Sequence, residues 1–230
     1  RYWRMQEFLN TYFGNVMAKL PDFYGSILDT LRMTGRAGAI AFVGGLFLGV
    51  VLTVTKEGGI LQAKALYQVL DKIINFFRSI PFIILLAALI PLTRLISGTA
   101  IGVEGAIVPL VCGTIPFFAR QIESALAEMD PGLVEAALSM GSSSVEIIFR
   151  VYLKECIPGI VRAVTITAIS LIGLTAMAGA VGAGGLGDFA IRFGYQRNQT
   201  DVTLASILVL AGLVSVIQLA GNMAAKKHTH

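Results

Sequence analysis

AVTITAISLIGLTAMAGAVGAGGLG, residues 163–187, is a run of 25 residues without one charged side chain, closed by Arg162 before it and Asp188 after it. A helix that crosses a bilayer needs about 20 predominantly apolar residues, so this run alone points to a membrane protein. Four further charge gaps repeat the pattern. There are 19 uncharged residues between Arg36 and Lys56, 15 between Arg78 and Arg94, 15 between Glu104 and Arg120, and 24 between Asp201 and Lys226. The spacing predicts an all-α, polytopic membrane protein with five transmembrane helices, near 30–54, 70–92, 104–124, 157–181 and 202–222. The two 15-residue gaps reach spanning length only if an arginine lies near a membrane edge, where its stem can snorkel.

Composition agrees. Of the 230 residues 55% are hydrophobic and 14% charged, against roughly 45–50% and about 25% in soluble chains. These values exclude a water-soluble globule, a nucleic-acid binder and a disordered chain. Two cysteines, Cys112 and Cys156, are too few for a disulfide framework. The chain begins at Arg1 rather than Met, so residues are expected ahead of it. Residues 1–25 carry Glu7, Lys19 and Asp22 and lack a continuous apolar core, unlike a signal peptide. They are expected to form an interfacial segment anchored by Trp3, Phe8, Tyr12 and Phe13. A transmembrane domain over 26–222 and a cytosolic tail over 223–230 complete the expected organisation.

Five spans place the termini on opposite faces, and the distribution of Lys and Arg orients them. With the C-terminus inside, the inner stretches hold Lys56, Lys64, Lys72, Arg78, Arg120, Arg150, Lys154, Arg162, Lys226 and Lys227; the outer loops hold Arg94, Arg192 and Arg197. The N-terminal segment opposes this trend with Arg1, Arg4, Lys19, Arg32 and Arg36. The expectation is an N-terminus outside and a C-terminus in the cytoplasm.

The spans are not simple anchors. Gly45 and Gly49 form a small-xxx-small pair that permits close helix approach. Pro81, Pro91, Pro109 and Pro116 each remove a backbone donor, and the freed carbonyls need partners in protein or a wet cavity. The fourth span carries Thr165, Thr167, Ser170 and Thr175, then Met177. Such hydroxyls suit a bundle with a solute path, and Ser170, Thr175 and Met177 are candidates for an outer constriction; plain packing is the alternative for Met177.

The connection between the third and fourth spans, about 125–156, is far longer than a link requires. Asp130-Pro131 reads as an N-cap followed by an N1 proline. Leu133, Val134, Ala137, Leu138 and Met140 supply an apolar stripe, and Gly141 a left-handed stop. Ser143-x-x-Glu146 is a capping box for a second helix, whose Val145, Ile148, Phe149 and Tyr152 fall on one side. Glu123, Glu128, Asp130, Glu135, Glu146 and Glu155 outnumber Arg120, Arg150 and Lys154, so this helical pair is no reader of nucleic acid.

Glu135-Ala136-Ala137, Gly141 and Val151-x-Leu153 at these spacings resemble the EAA loop of ABC-importer permeases, E-A-A-x3-G-x9-I-x-L-P. Val151 stands for Ile and Lys154 for Pro, with Pro158 four residues later. Further segments are similar to methionine-importer permeases: Phe77-Arg78-Ser79-Ile80-Pro81-Phe82-Ile83-Ile84-Leu85-Leu86, Ile90-Pro91-Leu92-Thr93-Arg94, and Ala180-Val181-Gly182-Ala183-Gly184-Gly185-Leu186-Gly187. The likeness runs from about residue 25 to 222. It implies a non-catalytic subunit in the bacterial cell membrane that pairs with a second copy of itself and with two ATP-binding-cassette ATPase subunits. A substrate-binding lipoprotein would deliver methionine or a related amino acid from outside. The inner loop would then be the coupling segment, with Leu133, Ala137 and Met140 packing on the ATPase. Glu135, Ala136 and Leu153 belong to the same motif, the small Ala136 and Ala137 allow close approach, and Gly141 turns the chain back. No lysine is followed by Ser or Thr, so the phosphate-binding loop is missing and the energy must come from a partner.

Other patterns carry less. Gly182-x-Gly184-x-x-Gly187 matches a dinucleotide fingerprint in letters but follows no predicted strand. Gly185-x-Gly187-Asp188 has the shape of an intramembrane aspartyl-protease motif, yet no uncharged span offers the second carboxylate that such chemistry shares. A glycine-rich end that lets the fourth span turn is the simpler reading. An ion-coupled secondary transporter is the remaining alternative class. His228 and His230 follow two lysines and read as a solvated tail rather than a metal site; no cofactor is expected.

Overall fold

The computed structural model describes residues 13–227, and every regular element among them is helical. Trp3, Phe8, Tyr12, His228 and His230 lie outside the described residues. The principal helices are α1 (Leu20–Thr55), α2 (Lys64–Ser79), α3 (Phe82–Ala88), α4 (Ile90–Ser97), α5 (Gly102–Ala127), α6 (Pro131–Ser139), α7 (Ile157–Ala178) and α8 (Thr200–Lys227). Among the described residues, four helical stretches are long and apolar enough to cross a membrane: Leu20–Thr55, Gly102–Ala127, Ile157–Ala183 and Thr200–Lys227.

The stretch expected as a single helix over 70–92 is divided instead into α2, α3 and α4. Pro81 is the cause. Its ring disfavours helical geometry at the preceding residue, and Ile80 is extended, at φ −83° and ψ 124°. Pro109 and Pro116 have no such effect, and α5 runs through both. The first helix starts at Leu20, ten residues before the predicted boundary. Its polar residues are satisfied along the helix itself: Ser26 Oγ donates to the Asp22 carbonyl at 2.8 Å, Thr30 Oγ1 to Ser26 at 3.0 Å, and Thr34 Oγ1 to Thr30 at 2.8 Å. At about 1.5 Å per residue, α1 is longer than the roughly 30 Å hydrocarbon core, so its charged first half can lie beyond the lipid.

The chain divides into two compact units, each built from three stretches of sequence. In the first (residues up to Gly38, Phe82–Leu110, Ser170–Val216), Val16, Phe189, Phe193, Val202 and Ala205 form a buried cluster. Phe189 lies between Phe23 and Phe193, with ring centroids 5.2 and 5.1 Å away. Phe13, expected as a membrane-surface anchor, packs against this cluster. Asn15 donates from its backbone and side-chain nitrogens to the Asp201 carboxylate at 2.9 and 3.1 Å, tying the start of the described chain to α8. The Arg36 guanidinium forks onto Glu104, so α1 also holds the first turn of α5.

In the second unit (Ala39–Pro81, Val111–Ile169, and residues from 217 on), α1 and α5 approach closely through the predicted glycine pair. A Cβ on Gly45 would fall 2.7 Å from Phe118 Cδ1, and one on Gly49 would fall 2.6 Å from Ile122 Cβ. Phe118, Ile122 and Leu126 of α5 then join Val54, Ala137, Ile147, Tyr152, Cys156 and Ala163 in the main buried cluster. This cluster reaches from the membrane helices into the long connection, which is how that connection acquires a fixed shape.

Candidate coupling segment and transport path

The connection between α5 and α7 is built by the caps read from its sequence. Asp130 Oδ1 accepts from the Gly132 N–H at 2.9 Å, with Pro131 in the first turn of α6. At the other end Gly141 N–H donates to the Leu138 carbonyl at 2.9 Å and Ser142 N–H to Ala137 at 3.1 Å. This is the Schellman pattern, and it requires the left-handed residue that Gly141 supplies at φ +80°. The capping box forms in both directions: Ser143 N–H donates to Glu146 Oε2 at 2.9 Å, and Glu146 N–H to Ser143 Oγ at 3.3 Å. These bonds from Ser143, backbone first and hydroxyl second, hold the Glu146 carboxyl below its ordinary range.

The second helix is not a plain α-helix. Ser144–Glu146 leads into a π-helical turn over Ile147–Tyr152, followed by Leu153–Glu155. The wider turn changes which residues share a side. Ile147 and Tyr152, five apart, are buried, whereas Val145 and Phe149 are exposed. The predicted face of Val145, Ile148, Phe149 and Tyr152 is therefore split. Burial also pushes the Tyr152 hydroxyl up, with Cys156 adding to the effect.

The motif residues fall into two groups. Leu133, Glu135, Ala136, Met140 and Gly141 are exposed, Met140 by 79%. Ala137 is turned the other way, 4% exposed inside the main cluster, so it anchors α6 and offers no surface for a partner. Leu153 is half-buried. Three exposed apolar side chains of this segment were not singled out as contacts by the sequence: Leu138, Val145 and Phe149. The motif spacing could not reveal Phe149, which lies within the π turn. A cleft of about 450 Å³ flanks α6, lined by Lys56, Gly59, Val134, Glu135, Leu138 and Tyr152 among others.

The path candidates on α7 do not form one group either. Ser170 is half-buried and Met177 is 42% exposed, two helical turns apart and so on one side. Thr175 lies off that side, buried, with its hydroxyl donated to the Ile172 carbonyl at 2.7 Å. Beyond Ala178 the helix widens and turns at Gly182 (φ 95°) and Gly184 (φ 80°), and a short helix, Gly185–Phe189, packs back on it. A Cβ on Gly187 would sit 2.1 Å from the Ala176 carbonyl oxygen, so only glycine fits. Leu186 N–H donates to Thr30 Oγ1 at 2.9 Å and fastens the turn to α1. Asp188, the candidate for protease chemistry, is paired with Arg192 at 3.1 Å. The glycines thus serve a tight reversal.

Long apolar helices, one of them ending in a glycine-built reversal, together with a capped helical segment that presents exposed apolar side chains, are the architecture of a multi-pass membrane protein. The chain belongs to the family of binding-protein-dependent transport system inner membrane components, which it matches over residues 40–227. It is similar to the methionine import system permease protein MetP of Bacillus subtilis, 43% identical over 92% of this chain and 95% of that protein. It is also similar to the D-methionine transport system permease protein MetI of Escherichia coli strain K12, 50% identical over 66% of this chain and 70% of that one. Among solved structures, an inward-facing conformation of the MetNI methionine ABC transporter, native crystal form, matches with a TM-score of 0.90 at 45% identity, covering 93% of this chain and 99% of that one. An amino acid ABC transporter with histidines shares the fold at 21% identity and a TM-score of 0.68. The protein is accordingly a non-catalytic, multi-pass inner-membrane component of a transport system.

Proposed function

We propose that this chain is the permease subunit of an ATP-binding-cassette importer for methionine or a closely related amino acid. It works as a pair of copies with separate ATPase subunits and an external substrate-binding protein. The similarity to the methionine transporter over nearly the whole chain carries this reading. We read the capped segment 128–156 as the cytosolic handle and the broken stretch 64–97 as a fifth crossing, so that the C-terminus lies inside and the N-terminus outside. Leu133, Glu135, Ala136, Met140 and Gly141 form its docking face, extended by Leu138, Val145 and Phe149, while Ala137 holds the segment onto the bundle.

Mechanically, closure of the ATPase pair draws the two handles together and rocks the helices that carry them, opening the path alternately to each side. The exposed apolar side chains supply non-directional adhesion, and the Asp130 and Ser143 caps keep the handle stiff enough to transmit a displacement. Ser170 and Met177 line the outer part of the path, and Met177 closes it when the inner side is open.

The test is uptake of labelled methionine into vesicles holding this subunit, its ATPase and its binding protein. Uptake that requires ATP and survives collapse of ion gradients is expected. Uptake driven by an ion gradient without the ATPase would overturn the reading.

A further inference from the structure

Arg120 sits on α5 within apolar sequence, about 10 Å along the helix from where the coupling segment begins. Nothing in the docking face or the path uses it. Its guanidinium is nevertheless the centre of a polar cluster. Nη1 donates to Glu123 Oε2 at 2.6 Å, and Nη2 donates to the Asp71 carboxylate and to Asn75 Oδ1 at 3.2 Å. Tyr67 donates its hydroxyl to the other Glu123 oxygen at 3.2 Å. The side chains of Arg120 and Glu123 are only 17% and 14% exposed. One cation therefore holds two carboxylates in poorly hydrated surroundings, where such bonds are strong and where losing the cation leaves both anions unpaired.

The cluster joins two helices. Asp71, Asn75 and Tyr67 all belong to α2; Arg120 and Glu123 belong to α5. Beside it, Ile74 of α2 is buried against Leu52 and Ala119, with Leu70 and Leu48 packed on them. Among the described residues, the opposite side of α2 has no such attachment: Leu66, Val69, Ile73 and Phe76 recur at helical spacing and are all exposed. Beyond Ser79 the helix stops at the extended Ile80. Thus α2 is pinned to α5 on one side, free on the other, and interrupted at one end.

We propose that Arg120 is a positioning residue for ATP-driven transport. It fastens α2 to the stem of the coupling segment, so that the two move as one body and the chain bends at Ile80–Pro81. This rests on the functional reading above, since it needs segment 128–156 to be the part that the ATPase displaces. The fork of the guanidinium suits the role better than a lysine would, because it engages both carboxylates and fixes their separation.

The experiment uses the complete transporter in proteoliposomes. Spin labels at Lys72 on α2 and Ser124 on α5, both exposed, report their separation by pulsed electron paramagnetic resonance in nucleotide-free and ATP-trapped states. The separation is expected to be the same in both states. In Arg120→Gln it should broaden, and solute moved per ATP hydrolysed should fall about tenfold while ATP hydrolysis continues. Exchanging the partners, Arg120→Glu with Asp71→Arg, keeps one guanidinium and two carboxylates and should restore much of the coupling. A separation that changes between states in the otherwise unmodified protein overturns the proposal, even if Arg120→Gln fails to assemble. Normal transport per ATP in Arg120→Gln overturns it equally. If the unmodified transporter shows no ATP-driven uptake, the functional reading fails and takes this inference with it.

Discussion

Replacing Gly49 by alanine tests the close approach of α1 and α5. The added carbon would lie 2.6 Å from Ile122 Cβ and Cγ2 and 2.7 Å from the Ala119 carbonyl oxygen, where carbon contacts settle at about 3.5–4.0 Å. Rotation of Ile122 cannot relieve this, because Cβ and a backbone oxygen are both in the way, so α1 and α5 must part by about 1 Å. Overpacking of this kind costs about 1–3 kcal/mol. The gain of about 0.5–1 kcal/mol from replacing a helical glycine offsets only part of it. Gly35, on the same helix, has nothing within 4 Å of its missing Cβ, so Gly35→Ala should collect that gain without the penalty. Thermal unfolding in detergent, followed by a thiol-reactive dye at the buried Cys156, reads both variants. Gly49→Ala should melt several degrees below the parent, at about 2–4 °C per kcal/mol for a chain of this size, and Gly35→Ala at or slightly above it. A Gly49→Ala protein as stable as Gly35→Ala would refute the packing argument.

Three further outcomes are expected. Gly141→Pro cannot adopt the left-handed turn and should abolish ATPase association, measured by co-purification, whereas Gly141→Asn, whose side chain tolerates that conformation, should retain most of it. Met177→Ala should raise methionine leak through the ATP-free transporter in a vesicle efflux assay; unchanged leak and coupling remove Met177 from the gate. The Glu146 pKa is lowered by the capping box, so the cap contributes fully above the ordinary carboxylate value of about 4.3 and is lost as pH falls through the lower folded value. Protection of the amides of residues 143–146, taken as exchange relative to the intrinsic rate at each pH, should therefore fall on acidification through that window in the parent, and Glu146→Gln should remove the dependence.

The features legible in the sequence were those governed by local chemistry. Uncharged runs located the long helices, Asp130-Pro131 and Ser143-x-x-Glu146 located the caps, and Gly45 with Gly49 located the close approach. What escaped depends on geometry that spacing does not encode. The π turn at Ile147–Tyr152 buries Ile147 and Tyr152 and leaves Phe149 outward, and the Arg120 cluster needs α2 and α5 side by side. Ala137 reads as a motif residue whichever way it points, and only the packed cluster shows it turned inward. Pro81 was visible, but Pro81 broke its helix while Pro109 and Pro116 did not, because only at Pro81 did the preceding residue leave the helical region.

The central claim is that segment 128–156 is gripped from the cytosolic side by a separate ATPase. A cysteine at the exposed Met140 tests it directly. Treated with an impermeant thiol reagent, Met140→Cys should label in inside-out vesicles and not in right-side-out ones, and the assembled ATPase should shield it. Labelling from the outer face, or equal labelling with and without bound ATPase, would contradict the account.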